Sequence, residues 1–173
     1  MPHRRCRPRP KAQADPAVAL TRLPFPCTLY RLSRGWMGIA KPFRLGVRTL
    51  MFDGEGAVCL VRHTYRPGWY LPGGGVKRWE TTADAAIRET EEEAGVRVDR
   101  LGRLIHLYAN FQVGYCDHVA LYLVDAWRPA EHRSLEIAEV GFFGLDALPP
   151  DTTRPTLRRL EEWRGAADLS EHW

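Results

Sequence analysis

Hydrophobic and polar positions change their period along the chain, and each change marks an element. Arg44 to Phe52 places Leu45, Val47, Thr49 and Met51 at every second position, the spacing of a strand with one face inward. Asp53-Gly54-Glu55-Gly56 is a hairpin turn, and Ala57 to His63 returns as a second strand. A short apolar run from Trp69 ends in Pro72, Gly73, Gly74 and Gly75. The period then becomes helical. Thr81 or Thr82 can cap this helix, Asp84 sits in its first turn, and Gly95 stops it. Val96 to Tyr108 predicts one or two strands, and His118 to Ala126 and Glu136 to Phe143 predict further ones. Asn110 to Asp117 and Pro129 to Leu135 are polar loops between them. Thr156 to Arg164 predicts a terminal helix with Leu157, Leu160 and Trp163 inward. Leu29 to Ile39 has spacings of three or four and predicts a short helix or irregular cover.

The central helix is unusual in its acids. Glu89, Glu91, Glu92 and Glu93 fall within five positions. At about 100° per residue, Glu89, Glu92 and Glu93 share one face and Glu91 lies on the far side. Ala83, Ile87, Thr90 and Ala94 form the stripe expected to meet the core. Like charges three and four apart repel by a few tenths of a kcal/mol per pair, and anions in a last turn oppose the helix dipole. A hard divalent cation removes that objection, because Mg²⁺ takes carboxylate oxygens and keeps water and phosphate oxygens as its other ligands. A bare glutamate run reads equally as a solvated face, so the upstream residues decide.

Those residues form a spaced pattern. Five residues separate Gly74 from Glu80, and seven more lead to Arg88-Glu89. Glu92-Glu93-Ala94-Gly95-Val96 closes the run. The stretch Gly74 to Val96 resembles the signature of the Nudix hydrolases, G-x5-E-x7-R-E-U-x-E-E-x-G-U, where U is a bulky aliphatic. Every glycine and charged position of that signature is met. Thr90 departs from it, standing where the family has an aliphatic; its methyl can pack and its hydroxyl can bond back to the Ala86 carbonyl. Trp79 departs too, standing where many members have glycine.

The resemblance implies an α/β/α sandwich, a mixed β-sheet between helices, with the motif as loop, helix and loop. It implies hydrolysis of a diphosphate linkage in a nucleoside diphosphate joined to another group, with Mg²⁺ or Mn²⁺. Carried over, Glu89, Glu92 and Glu93 are metal ligands, the Gly73 carbonyl is a fourth, and Glu89 also orients or deprotonates water. Glu80 and Arg88 are the ion pair that braces the loop. Two alternatives stand beside this: a nucleotide- or ADP-ribose-sensing module without turnover, and an RNA-end pyrophosphohydrolase.

Other residues are open to two readings. Arg62, His63, Tyr65 and Arg66 precede the motif; Arg62 or Arg66 can meet substrate phosphate or simply face solvent. Glu136, Glu139 or Asp117 can complete the metal site or be surface charge. Trp79 can offer an aromatic face near the substrate. Tyr108 and Tyr115 can stack on a base or pack inward.

Composition narrows the setting. The chain has 173 residues, enough for one domain with a real core. Its net charge of +4 is unevenly spread: residues 1–34 hold eight Lys/Arg against one acid, and the remainder is slightly acidic. Residues 1–24 read as a disordered basic leader and 25–173 as a single domain. No apolar run is long enough to span a bilayer or serve as a secretory h-region. Cys6, Cys27, Cys59 and Cys116 lack metal-ligand spacing and read as reduced thiols of a cytoplasmic protein. The expected partner is a small nucleotide, not a membrane or nucleic acid, and a homodimer is compatible with this reading.

Overall fold

The computed structural model describes residues 43–111, 116–130 and 134–173. The expectations for the leader, for Leu29 to Ile39 and for Tyr115 lie outside them. Among the described residues six strands and two helices follow in order: β1 (Phe43–Met51), β2 (Val58–His63), β3 (Trp69–Tyr70), α1 (Thr82–Ala94), β4 (Val96–Asn110), β5 (Cys116–Pro129), β6 (Ile137–Phe143) and α2 (Arg154–Trp163). One three-stranded sheet has the order β1-β5-β4 and is mixed, with β1 parallel to β5 and β4 antiparallel to it. A second, in the order β3-β2-β6, is antiparallel. Val96 to Asn110 is one long strand whose register against β5 shifts between Val98 and His106. No helix among the described residues is long and apolar enough to cross a membrane.

β1 is the centre of this arrangement. Val47, Thr49 and Met51 face α1: Val47 packs with Ala85 and Ala86, and Met51 with Ala94. Leu50 points to the other side, into a cluster with Leu60, Leu71, Tyr108 and Leu160. The strand is therefore buried on both faces, where its alternation predicted one.

Thr81 caps α1, accepting a hydrogen bond from the Asp84 amide at 3.0 Å. Gly95 ends it in the left-handed region at φ 66°, where glycine is unstrained. The buried side of α1 is Ala85, Ala86, Thr90, Glu93 and Ala94, while Ala83 and Ile87 are only half-buried. The core face is thus rotated toward the carboxylates relative to the expected stripe. Small alanines let the helix sit close on β1, and that approach takes Glu93 inward with them.

Thr90 settles into this face through hydrogen bonds. Its hydroxyl donates to the Ala86 carbonyl at 2.6 Å, so in the 2.8 Å contact with the Thr49 hydroxyl, Thr49 donates. The polar residue on the helix is matched by one on the strand. In α2, Arg159 is buried in place of the expected Leu157, ion-paired with Glu162 at 2.7 Å and lying 4.0 Å from the Tyr108 ring centroid. Tyr108 is fully buried and donates to Glu162 at 2.8 Å, so of its two readings the inward one holds.

The threonine pair predicts a sign pattern. Thr90→Val alone leaves the Thr49 hydroxyl only the Pro72 carbonyl at 3.5 Å and should cost roughly 1–2 kcal/mol. Adding Thr49→Val should recover most of that loss. Urea unfolding of the two single variants and the double variant measures it; a double variant as unstable as the sum of the singles would mean the pair is not coupled.

Candidate active site

The glycine turn is fastened to β1 as though it were another strand. The amide of Val47 donates to the Gly74 carbonyl at 2.9 Å, that of Thr49 to Pro72 at 3.0 Å, and that of Val76 to Leu45 at 2.9 Å. Gly73 has φ 139°, and a side chain there would run into the Val47 carbonyl. A Cβ on Gly74 would lie 2.5 Å from a Glu89 carboxylate oxygen. Neither position can hold a side chain without moving the strand or the acid.

The helix meets this turn through its carboxylates. Glu93 is 7% exposed and accepts a hydrogen bond from the Gly73 amide at 2.8 Å. Burial pushes its pKa up to about 7, aided by Glu89 and opposed by that amide and by Arg48 and Arg66. Glu89 and Glu93 line one cleft of about 510 Å³ with Gly73, Gly74 and Gly75. Arg44, Arg48, Tyr65, Arg66, Asp117, His118, Glu136 and Trp173 are among the residues that complete it. Glu92 does not join them. It borders a separate groove with Ile87, Arg88 and Arg97, lies 3.4 Å from the Arg88 guanidinium and keeps 45% of its side chain exposed. The rotation that buries Glu93 carries Glu92 away, so the expected three-carboxylate face is split.

Arg88 ties the turn to the helix. Its Nε and Nη2 donate to the two oxygens of Glu80 at 2.7 and 2.9 Å, Nη1 to Glu89 at 2.6 Å, and Nη2 also to the Gly75 carbonyl at 3.2 Å. The hydrogen bond from Arg88, then one from the Lys77 amide, brings the Glu80 pKa down to about 2. Arg88 does not border the cleft. Trp79 does not cover this pair: it is 91% exposed, beneath the Arg78 guanidinium, with φ 67°. The backbone keeps the left-handed conformation that suits glycine, and tryptophan bears the strain.

Two other expectations are redirected. Arg62 lies 3.6 Å from Glu139 and 3.4 Å from Asp151, with its guanidinium 4.8 Å from the Trp69 ring centroid, so neither Arg62 nor Glu139 faces the cleft. Arg66, Glu136 and Asp117 do border it. Arg48 carries no mark in the residue pattern, yet its Nη1 donates to the carbonyls of Leu71, at 3.1 Å, and Gly73. Burial lowers its pKa, against the opposite pull of Glu93. Trp173 is likewise unmarked, on a tail paired with β4 through the Ala109 carbonyl at 2.9 Å. By period alone Arg48 falls on the outward face of β1, between Val47 and Thr49, so no sequence signal marked it.

The donor set suits a hard divalent cation, with two carboxylates, a carbonyl and space for water and phosphate oxygens. Among the described residues no three His, Cys, Asp or Glu side chains could hold an ion by themselves. Arg48 donates to the Gly73 carbonyl, so an ion bound there would share that oxygen with the guanidinium.

Fold and site together define an α/β domain whose glycine turn and acidic helix meet at one cleft. A NUDIX domain model matches residues 42–164, and the chain belongs to that family. Diphosphoinositol polyphosphate phosphohydrolase 2 of Mus musculus is 44% identical over 57 residues, 32% of this chain and 31% of that protein. The RNA pyrophosphohydrolase of Dinoroseobacter shibae is 36% identical over 64 residues, 36% of this chain and 40% of that protein. The chain thus spans well under half of these relatives. The crystal structure of a MutT NUDIX hydrolase from Burkholderia pseudomallei superposes with a TM-score of 0.60 at 30% identity, over 69% of this chain and 97% of that one.

Two tests follow. Glu80→Gln and Arg88→Met should each destabilise the chain, and the double variant should lose less than the sum, because either single change leaves a charge without its partner. Additive losses in unfolding free energy would remove the bracing role. The second test concerns pH. Glu93, raised from 4.5 to about 7, holds its proton where the unfolded chain has released it, so its share of stability is lost as pH rises across that window. His63, lowered from 6.5 to about 4 by burial and then by Arg66 and Arg48, loses stability as pH falls. The slopes oppose between about 4.5 and 6.5 and should nearly cancel there in chelator. Glu93→Gln should unmask the histidine slope, so that urea unfolding gives a less stable variant at the acid end.

Proposed function

We propose that the protein is a divalent-metal-dependent hydrolase that cleaves a phosphoanhydride bond in a nucleoside diphosphate linked to another group. The observation that carries this reading is the meeting, in one cleft, of Glu89, Glu93 and the glycine turn with three arginines. Its acids can hold a cation, and its guanidinium groups can take phosphate oxygens. The relatives named phosphohydrolase and pyrophosphohydrolase support the same reaction class.

Glu89, Glu93 and the Gly73 carbonyl are the residues that would hold Mg²⁺ or Mn²⁺. When bound, such an ion neutralises phosphate charge and lowers the pKa of its water. Glu89 is held by Arg88 on one side and borders the cleft on the other, so it is the carboxylate able to orient or deprotonate the attacking water. Glu93 is fixed by the Gly73 amide. Glu92, the third acid of the motif, is turned toward Arg88 in this structure. Asp117 and Glu136 border the same cleft and are candidates for a further acid.

Glu93→Gln should keep the fold and lower turnover by a hundredfold or more. Circular dichroism melts check the first point. Mg²⁺-dependent hydrolysis of ADP-ribose and nucleoside diphosphate sugars, read by product mass, checks the second. Undiminished turnover at saturating metal would remove the assignment.

A further inference from the structure

His63 does not border the cleft, although Tyr65, Arg66 and Glu93 around it do. It ends β2 in the row of Cys59 and Val61, on the side that faces α1, where Cys59 packs with Ala94. Its side chain is 1% exposed. Tyr65 and Tyr70 hold the ring at centroid distances of 5.2 and 5.5 Å. Arg66 Nη2 meets its Nε2 at 2.6 Å. A guanidinium only donates, so Nε2 accepts there, and a neutral imidazole then carries its one proton on Nδ1. Burial, Arg66 and Arg48 all favour that neutral form. The Nδ1–H is thus aimed by its neighbours, and it faces Oε1 of Glu93 at 3.9 Å. No hydrogen bond to a described residue answers it.

A buried donor left without an acceptor costs free energy. Closing the gap to Glu93 by about 1 Å would make it a normal hydrogen bond. The acid has room for that bond. Its Oε2 already takes the Gly73 amide at 2.8 Å. A carboxylate oxygen has two lone pairs, so Oε1 can accept from the imidazole and still meet an ion. From this we infer that His63 is a positioning residue for Glu93. Fixed by Arg66, it holds Oε1 as the Gly73 amide holds Oε2, and so sets how tightly the site takes its divalent ion. This role rests on the reading of Glu93 as a metal ligand and deepens it. A histidine that merely packed would leave the ion indifferent to it.

The first test uses the full chain and Mn²⁺ alone, with the free ion read by its electron paramagnetic resonance signal. Two variants separate the ring nitrogens. His63→Gln reaches the Nε2 position, where its oxygen can accept from Arg66, and puts no donor at Nδ1. His63→Asn ends at the Nδ1 position and keeps a donor toward Glu93. His63→Gln should weaken Mn²⁺ binding by about tenfold or more, while His63→Asn stays near the parent chain. Circular dichroism melts in EDTA report packing separately. Equal affinities in the two folded variants, reduced or not, would overturn the role. The second test needs no variant. ¹⁵N NMR of the parent chain should show His63 as the neutral Nδ1–H tautomer, with its Nδ1 resonance moving when Mg²⁺ is added. An Nε2–H tautomer, or an Nδ1 resonance indifferent to Mg²⁺, would overturn the role too, and this measurement decides if His63→Gln does not fold. A parent chain that takes up neither ion removes the functional reading and this role together. A parent chain that binds Mn²⁺ no better than folded His63→Gln removes this role alone.

Discussion

Arg88 is the interaction on which the acidic helix depends. Carboxylates at Glu89, Glu92 and Glu93 repel one another near a helix terminus that already disfavours them. A guanidinium bound to Glu80 and Glu89 and lying near Glu92 offsets that repulsion and holds Glu89 in place. The same group holds the Gly75 carbonyl, so the acids and the glycine turn cannot move independently. The backbone ladder from the turn to β1 then transmits this position to the core.

Burial divides the labour among the three motif acids. Glu93 sits nearest the core and is fixed by an amide. Glu89 stands between Arg88 and the cleft. Glu92 faces the neighbouring groove, beside Arg88. A helical wheel places these residues on one arc, but it carries no information about how far the helix rolls on the strand beneath it. Here the roll is set by alanines at 85 and 86, which allow close approach on β1.

That distinction marks what was legible in the sequence. The caps at Thr81 and Gly95, the first hairpin, and the Gly74 to Val96 pattern could be read because they are local: each depends on residues close in the chain. Thr90 was legible in part, through its bond back to Ala86, while its partner Thr49 lies 41 positions away and was not. Arg48 and Arg159 were missed for one reason. A charged residue on a buried element reads as outward-facing by period alone, and only the assembled fold supplies the carbonyls, rings and acids that receive it. Arg62 failed in the opposite direction, because Glu139 and Asp151 reach it from distant segments.

The tail after α2 carries a different kind of consequence. Arg159 donates to the His172 carbonyl at 3.0 Å, and the Trp173 amide closes on Ala109, which brings Trp173 to the wall of the cleft. These last residues fall outside the stretch that the family model matches, which ends at 164. A fragment trimmed to that match would retain the motif and its helix but present an open-sided cleft. The glycine turn and the acidic helix lie inside the matched stretch, and the residue that closes the far wall, Trp173, lies outside it.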